Sequence, residues 1–447
     1  MTRPRHSVGL HTTGDSEFSN SVCSSLRSLL PSVAIAGMRD AGVVWIDGGD
    51  SSAELILDAA RNVSRPIISA SRFETCAQIV ASGVASAVCC VGVETVPEGA
   101  LDLGGSSVLS RGEHERHAER RMAKIISRMA QGFGPPATSP VGWPMEAMVE
   151  VVRTCNLRCP LCPVGNGAAD HYENMSVETF REIASALGET VTALSLYNYG
   201  EPLLHPHIGE IVAIAKEAGI ECVAITTNGT ILRPGLEDAL VSAGLDSLRI
   251  SIDGATQESY EKYRVGGDLE KIWNHVRRFV AAKHRLGSGQ PRIEAQFVVN
   301  RWNEQEVEDF RRLAGEAGVD RVRLKTFNAL MTGVEFSDLG RDFLPTDARY
   351  SRYADPDRLT YRDRYKLAQC EWPLVRVVVN ADGAVVPCCY DYNGRHRLGT
   401  FRGTGADDWW NTEQRARFRE RLRRDPMSID ICSICPVGVP SLEVAFE

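Results

Sequence analysis

From residue 147 onward, short apolar runs alternate with segments whose apolar residues recur every three or four positions. The runs at 147–153, 191–198, 221–228, 247–253, 292–299 and 320–327 predict strands buried on both faces. The segments at 177–187, 208–218, 236–243, 269–285 and 304–317 predict amphipathic helices. Strict alternation of the two argues a parallel sheet crossed by helices, the α/β class, and six such units make an open, partial barrel. Upstream, strand-like runs at 43–47, 66–69 and 87–93 alternate with helical patterns at 53–62 and 74–82, a βαβαβ arrangement. A helix is expected over 116–131, and the Gly/Pro-rich stretch 132–144 reads as a linker.

With 447 residues the chain exceeds one ordinary domain. Its net charge of -8 is spread without long runs of one sign, which gives no reason to expect nucleic acid. The first residues lack an apolar signal core and no apolar stretch reaches membrane-spanning length, so a soluble, cytoplasmic protein with no membrane partner is expected. Thirteen cysteines in such a chain suit ligation better than disulfides, because eight of them fall in two groups. Cys23, Cys76, Cys89, Cys90 and Cys222 stand among apolar neighbours and read as buried thiols.

Cys155, Cys159 and Cys162 form a C-x3-C-x2-C loop directly after the first strand of the six. A 4Fe-4S cluster normally takes four thiolates, so three in one loop leave an iron that can bind something reactive. Carboxyl ends of strands are where barrels build such sites. A structural zinc site or a redox cysteine pair is the alternative. The spacing resembles the radical S-adenosylmethionine (SAM) enzymes. That resemblance implies a first 4Fe-4S cluster whose open iron chelates SAM, and cleavage to a 5'-deoxyadenosyl radical. It also implies a partial (β/α)6 barrel over 146–340, while the βαβαβ pattern upstream suggests a Rossmann-like accessory domain over 1–131 and a linker over 132–145. Tyr199-Gly200-Glu201-Pro202 resembles the family's Gly-Gly-Glu-Pro motif with Tyr199 in place of the first glycine, so that backbone carbonyls and Glu201 would receive the SAM ammonium. Asn228 stands in a Thr-Thr-Asn-Gly-Thr run usual at this place in the family, and Ser251, Asp253 and Arg264 resemble its Ser-x-Asp-Gly element with a downstream arginine. Ser251 would meet the SAM ribose or carboxylate, and Arg264 would fork onto the carboxylate.

The second group begins with Cys370, Gly383 and Cys388 and closes with the Cys432–Cys435 pair. The pattern resembles the twitch domain, a shortened SPASM domain, here over 341–447, and implies one auxiliary 4Fe-4S cluster with four corners filled. Cys389 competes with Cys388 as ligand, and zinc is again the alternative. Asn380-Ala381-Asp382-Gly383 between two apolar runs is a hairpin signal.

Radical SAM barrel plus twitch domain is similar to enzymes of aminoglycoside biosynthesis, of the paromamine diol dehydratase and 2-deoxy-scyllo-inosamine dehydrogenase type. The implied substrate is a small carbohydrate, with an external electron donor of the flavodoxin or ferredoxin type and, as a further partner, a reductase. A dehydrogenase or epimerase acting on an aminocyclitol, or a maturase of a ribosomal peptide, is the alternative. Tyr197, His205, Glu294 and Lys325 are the acid–base candidates. Glu294 and Gln296 share one face of their strand, and Asn300 and Asn328 lie near strand ends. Glu294, Asp338, Asp342 and Asp391 are candidate carboxylates for a substrate ammonium.

Overall fold

The computed structural model describes Pro144 and residues 146–436, apart from 170–172, 189–190, 331–336, 362–369, 371, 402–408 and 411, together with five strands nearer the amino terminus. The chain divides into two compact units, one of residues 1–101, 109–145 and 189–191, the other of 102–108, 146–188 and 192–447.

The first unit holds a sheet of β1 (Val8–Thr12), β2 (Val33–Gly37), β3 (Val44–Asp47), β4 (Pro66–Ala70) and β5 (Ala87–Cys90), in the order β2-β1-β3-β4-β5. Strands β3, β4 and β5 are parallel neighbours in sequence order, as the βαβαβ pattern demands. β1 and β2 were not expected, because glycine and alanine dilute the apolar signal in Val-Gly-Leu-His-Thr and Val-Ala-Ile-Ala-Gly. β1 runs parallel to β2 but antiparallel to β3, so the sheet is mixed. The helices expected at 53–62, 74–82 and 116–131, the linker, and the side chains of Cys23, Cys76, Cys89 and Cys90 lie outside the described residues.

In the second unit, β6 (Glu146–Val149), β7 (Ala193–Ser195), β8 (Cys222–Thr227), β9 (Ser247–Ser251), β10 (Arg292–Val299) and β11 (Arg321–Thr326) lie side by side in chain order, every pair parallel. Helices α1 (Val177–Gly188), α2 (Ile208–Glu217), α3 (Leu236–Ser242), α4 (Gln257–Tyr263), α5 (Leu269–Arg285) and α6 (Val307–Ala317) fall between them. β11 is the outer strand and the sheet stays open, as a partial barrel requires. In α5, Asp268 caps the first turn by accepting from the Lys271 amide. Its residues Leu269, Ile272, Trp273, Val276 and Phe279 then make the buried stripe. α4 escaped the sequence reading because it spans barely two turns, too few for a periodicity; its start is set by Thr256, whose hydroxyl accepts from Ser259. Tyr260 in α4 is fully buried with a hydroxyl that has no hydrogen-bond partner. Tyr260→Phe removes that desolvated group, and a rise in stability of about 1 kcal/mol is expected in urea denaturation; a loss of that size would show the hydroxyl to be needed.

A short ribbon of β12 (Tyr353–Asp355) and β13 (Thr360–Tyr361) precedes the last three strands, β14 (Arg376–Val379), β15 (Ala384–Val386) and β16 (Gly399–Thr400). β14 pairs in parallel with β6, so these three extend the same sheet to nine strands. The expected hairpin joins β14 to β15. Its turn closes where the Gly383 amide donates to the Asn380 carbonyl at 2.9 Å, and Gly383 sits at φ +79°, the left-handed region that favours glycine. Among the described residues no helix is long and apolar enough to cross a membrane.

Candidate active site

The chain leaves β6 through Glu150, a carboxylate in an otherwise apolar run and fully buried. Burial pushes its pKa up and Arg153 opposes that push, with Nε and Nη2 at 2.7 and 2.6 Å from one oxygen. The carboxylate also accepts from the amides of Tyr199 and Ala381, both at 3.3 Å. One side chain thereby ties the exit of β6 to the segment after β7 and to the β14–β15 turn. The sequence reading passed over Glu150, although a lone charge inside Ala-Met-Val-Glu-Val-Val was a signal.

Beyond Glu150, the loop carrying Cys155, Cys159 and Cys162 folds back on itself, the Cys162 amide donating to the Cys159 carbonyl at 3.1 Å. All three thiols face a cavity of about 440 Å³. Burial pushes Cys155 up to about 11 and Cys162 up to about 12, so thiolates at these positions need cationic partners. Side-chain and backbone N–H groups already point at the sulfurs: Leu157 N at 3.4 Å and Asn228 Nδ2 at 3.6 Å from Cys155, Arg264 Nη1 at 3.8 Å from Cys159. That donor set fits an iron–sulfur cluster, whose thiolates accept such bonds.

The strand-end motif packs against this loop. A Cβ at Gly200 would lie 1.8 Å from the Val152 carbonyl oxygen, so only glycine lets the two segments meet. The Glu201 carboxylate is engaged three times: it accepts from Leu203 N at 3.0 Å and Thr227 Oγ1 at 2.7 Å on one oxygen, and from Asn228 N at 2.7 Å on the other. It staples the end of β7 to the end of β8, and Pro202, buried, opens the turn it caps. Asp253 is likewise engaged, accepting from Val298 N at 2.7 Å and from Arg264 Nε at 2.6 Å. Burial works against the Arg264 charge, but Asp253 and Cys159 hold its pKa above the ordinary arginine range. Tyr197, Tyr199, Ser251 and Lys325 are on the cavity wall with the cysteines.

Several expected residues stand elsewhere. His205 is held as the neutral tautomer, its Nδ1 accepting from the His207 amide at 3.1 Å and its Nε2–H donating to the Met175 carbonyl at 2.9 Å. Burial lowers its pKa; both nitrogens are spent and it is off the cavity wall. Asp391 accepts from the Arg395 and His396 amides at 2.8 and 2.9 Å and closes its own loop. Glu294 does share a face with Gln296, which contacts Ser251 at 3.4 Å, but one layer deeper. There Arg249 and Arg323 donate to it at 2.6 and 2.8 Å, with Arg321 at 3.8 Å. Burial pushes the Glu294 carboxyl up, yet Arg249 and Arg323 overcome that and hold it at about 2. Its stabilisation is therefore complete above the unfolded value of 4.5 and lost as pH falls from there through about 2. In Glu294→Gln the acid-unfolding curve is expected to lose about 3 kcal/mol of its fall over that window, and an unchanged curve would contradict the arginine trap. Asp342 is exposed, and the Asp338 side chain lies outside the described residues. Asn300 caps its loop by accepting from the Trp302 amide at 2.9 Å.

Cys370, Cys388, Cys389, Cys432 and Cys435 line the same cavity, so both Cys388 and its competitor Cys389 are brought there. Met148, Trp372, Val378 and Val386 back Cys370, Cys388 and Cys389 with an apolar core. Asn328, at the exit of β11, donates to the Tyr390 hydroxyl and accepts from those of Tyr353 and Tyr361, each at 2.9 Å. The Tyr361 hydroxyl also lies 2.7 Å from the Ile434 carbonyl, its single hydrogen shared between that oxygen and Asn328, which pins the last cysteine pair to the barrel end. Asn198, which the sequence reading did not single out, places a buried amide nitrogen without a partner on the cavity wall.

The family model described as the radical SAM superfamily matches residues 149–314, and that of the SPASM iron–sulfur cluster-binding domain matches 370–436. A GTP 3',8-cyclase of Alkaliphilus oremlandii is 33% identical over 198 residues, 43% of this chain and 58% of that protein. The PqqA peptide cyclase of Gluconobacter oxydans is 27% identical over 259 residues, 55% of this chain and 70% of that protein. The chain spans about half the length of the first curated relatives it matches. Among solved structures, BtrN in complex with AdoMet and 2-DOIA is 16% identical, with 65% of this chain and 92% of that one covered and a TM-score of 0.40. Streptococcus suis SuiB bound to the precursor peptide SuiA is 13% identical, with 74% and 77% covered and a TM-score of 0.46. A radical SAM domain implies SAM and a 4Fe-4S cluster, and an SPASM domain implies auxiliary clusters.

Proposed function

Because the chain joins a radical SAM domain to an SPASM domain, we propose that it is a radical SAM enzyme whose substrate lies in the cavity shared by the two cysteine sets. The observation that carries this is the shared cavity itself, lined both by Cys155, Cys159 and Cys162 and by the second cysteine set. When bound, the first cluster would supply one-electron reductive cleavage of SAM, drawing on an external reductant, for hydrogen abstraction from the substrate. Cys155, Cys159 and Cys162 would hold that cluster; Cys370, Cys388, Cys432 and Cys435 would hold the auxiliary one. Arg264, aimed by Asp253, and Ser251 would orient SAM, while Gly200 lets the strand-end carbonyls approach. Glu201 positions this end of the barrel through its bonds to Thr227 and Asn228.

For the substrate we infer a carbohydrate-like natural-product intermediate, dehydrated at a vicinal diol as in the paromamine type. Asn198 offers a buried amide donor without a partner on the wall, which suits a hydroxyl oxygen. A second reading, maturation of a peptide, is favoured by a different feature. Glu201, the one carboxylate among the described wall residues, is already saturated, so multiple ammonium groups would find little to pair with. The peptide cyclase relative supports keeping that arm.

The test is anaerobic reconstitution, with iron and sulfide measured beside 5'-deoxyadenosine release from SAM and dithionite, in the presence of paromamine, of an aminocyclitol or of a PqqA-type peptide. About eight irons per chain and stimulation by paromamine are expected. Stimulation by the peptide alone would replace the carbohydrate reading, and no release at all would overturn the enzyme class.

A further inference from the structure

We propose that Asn228 tunes the first cluster, acting as a hydrogen-bond donor to the Cys155 sulfur that raises the cluster's reduction potential, and that Asn156 and Thr230 exist to aim it. The inference rests on the proposed cluster at the three-cysteine loop.

An amide can be turned either way, so the orientation has to be argued from unambiguous partners. The Thr230 backbone N–H can only donate, and it meets Asn228 Oδ1 at 2.9 Å. Asn228 Oδ1 is therefore the oxygen, and the other arm is the NH2. That nitrogen lies 3.1 Å from Asn156 Oδ1 and 3.6 Å from Cys155 Sγ. Asn156 in turn donates through Nδ2 to Thr230 Oγ1 at 2.7 Å, and the hydroxyl passes its own hydrogen to Asn228 Oδ1 at 2.6 Å. The three side chains close a ring that fixes which arm of Asn228 is the NH2. One Asn228 hydrogen goes to Asn156, and the second has the sulfur as its acceptor.

The loop does not need this second hydrogen to hold its place. The Asn228 backbone is fixed by its bond to Glu201 Oε2 at 2.7 Å, and Asn228 is 6% exposed. What the N–H does add is a partial positive charge against a ligand sulfur. Electron density on that sulfur grows when the cluster is reduced, so the bond strengthens in the reduced state and favours it; hydrogen bonds to the sulfurs are one of the levers on cluster potential. Arg264, held by Asp253, places a charged N–H beside Cys159 in the same way.

The test is a redox titration followed by electron paramagnetic resonance on reconstituted full-length protein without SAM, with iron and sulfide counted on the same samples. The auxiliary cluster serves as an internal reference. N228A removes the donor and N228D replaces it with an acceptor of the same shape, so the midpoint of the first cluster should move to more negative values in the order wild type, N228A, N228D, with the reference unmoved. A wild-type midpoint in an N228A protein that carries full iron overturns the proposal. So does a shift that emerges only when SAM is added, which would assign Asn228 to SAM. If N228A fails to retain iron, T230V decides, because it leaves the amide and removes the hydroxyl that aims it. A smaller negative shift is expected there, and no shift overturns the proposal. Iron absent from the wild-type protein would instead defeat the cluster reading on which the inference stands.

Discussion

Replacing Glu150 with alanine is expected to cost about 3–5 kcal/mol of stability, the usual consequence of stranding one member of a buried ion pair. Arg153 is 1% exposed and the Glu150 carboxylate lies 2.6 Å from it, so the guanidinium would lose this counter-charge in a low-dielectric site. The loss would reach further than the pair. Glu150 also holds the Tyr199 and Ala381 amides, and with it gone the β6 exit, the Gly200–Glu201 segment and the β14–β15 turn lose a common anchor. Urea denaturation of E150A beside the double variant E150A/R153A checks this. The double variant should recover part of the loss, since it removes both charges; a loss below about 1 kcal/mol in E150A would mean that the pair is solvated on demand.

Alanine at Cys155, Cys159 and Cys162 together should remove about four of some eight irons per chain and abolish 5'-deoxyadenosine formation, while the second cysteine set keeps its cluster. The expectation follows from the local nature of the loop. Its cysteines lie beyond the end of β6, and the apolar core that backs Cys370, Cys388 and Cys389 is built from Met148, Trp372, Val378 and Val386, none of them in that loop. Iron analysis and the cleavage assay read the two effects separately. Loss of all the iron would show that the two sets fold interdependently, and residual cleavage would place the chemistry at the second set.

Much of this could be read before any coordinates, and the failures have physical causes. Strands β6 to β11 were legible because each is buried along its length, and the resulting apolar runs are a local property. The cysteine loop was legible because its three thiols fall within one short stretch of chain directly after a strand. By contrast, Glu294, His205 and Asp391 were nominated for chemistry on residue type and position. A carboxylate or imidazole near a strand end is free for chemistry only if its neighbours leave it so. Arg249, Arg323, Met175 and His207 come from other elements or other turns, and they had already claimed two of those groups.

The sequence by itself determined the alternation of strand and helix, the three-cysteine loop after the first strand of the barrel and the Asn380–Gly383 turn. Periodicity, ligand spacing and turn chemistry act over a few residues. Only the tertiary structure decided that β14 lies beside β6, which carries the second cysteine set to the cavity of the first. The Ala381–Glu150 bond spans 231 positions in the chain, and the Asn228–Asn156–Thr230 ring joins two loops that follow different strands. Contacts at such separations depend on which buried surfaces fit and on which polar groups must be satisfied once water is excluded. No short stretch of sequence carries that information.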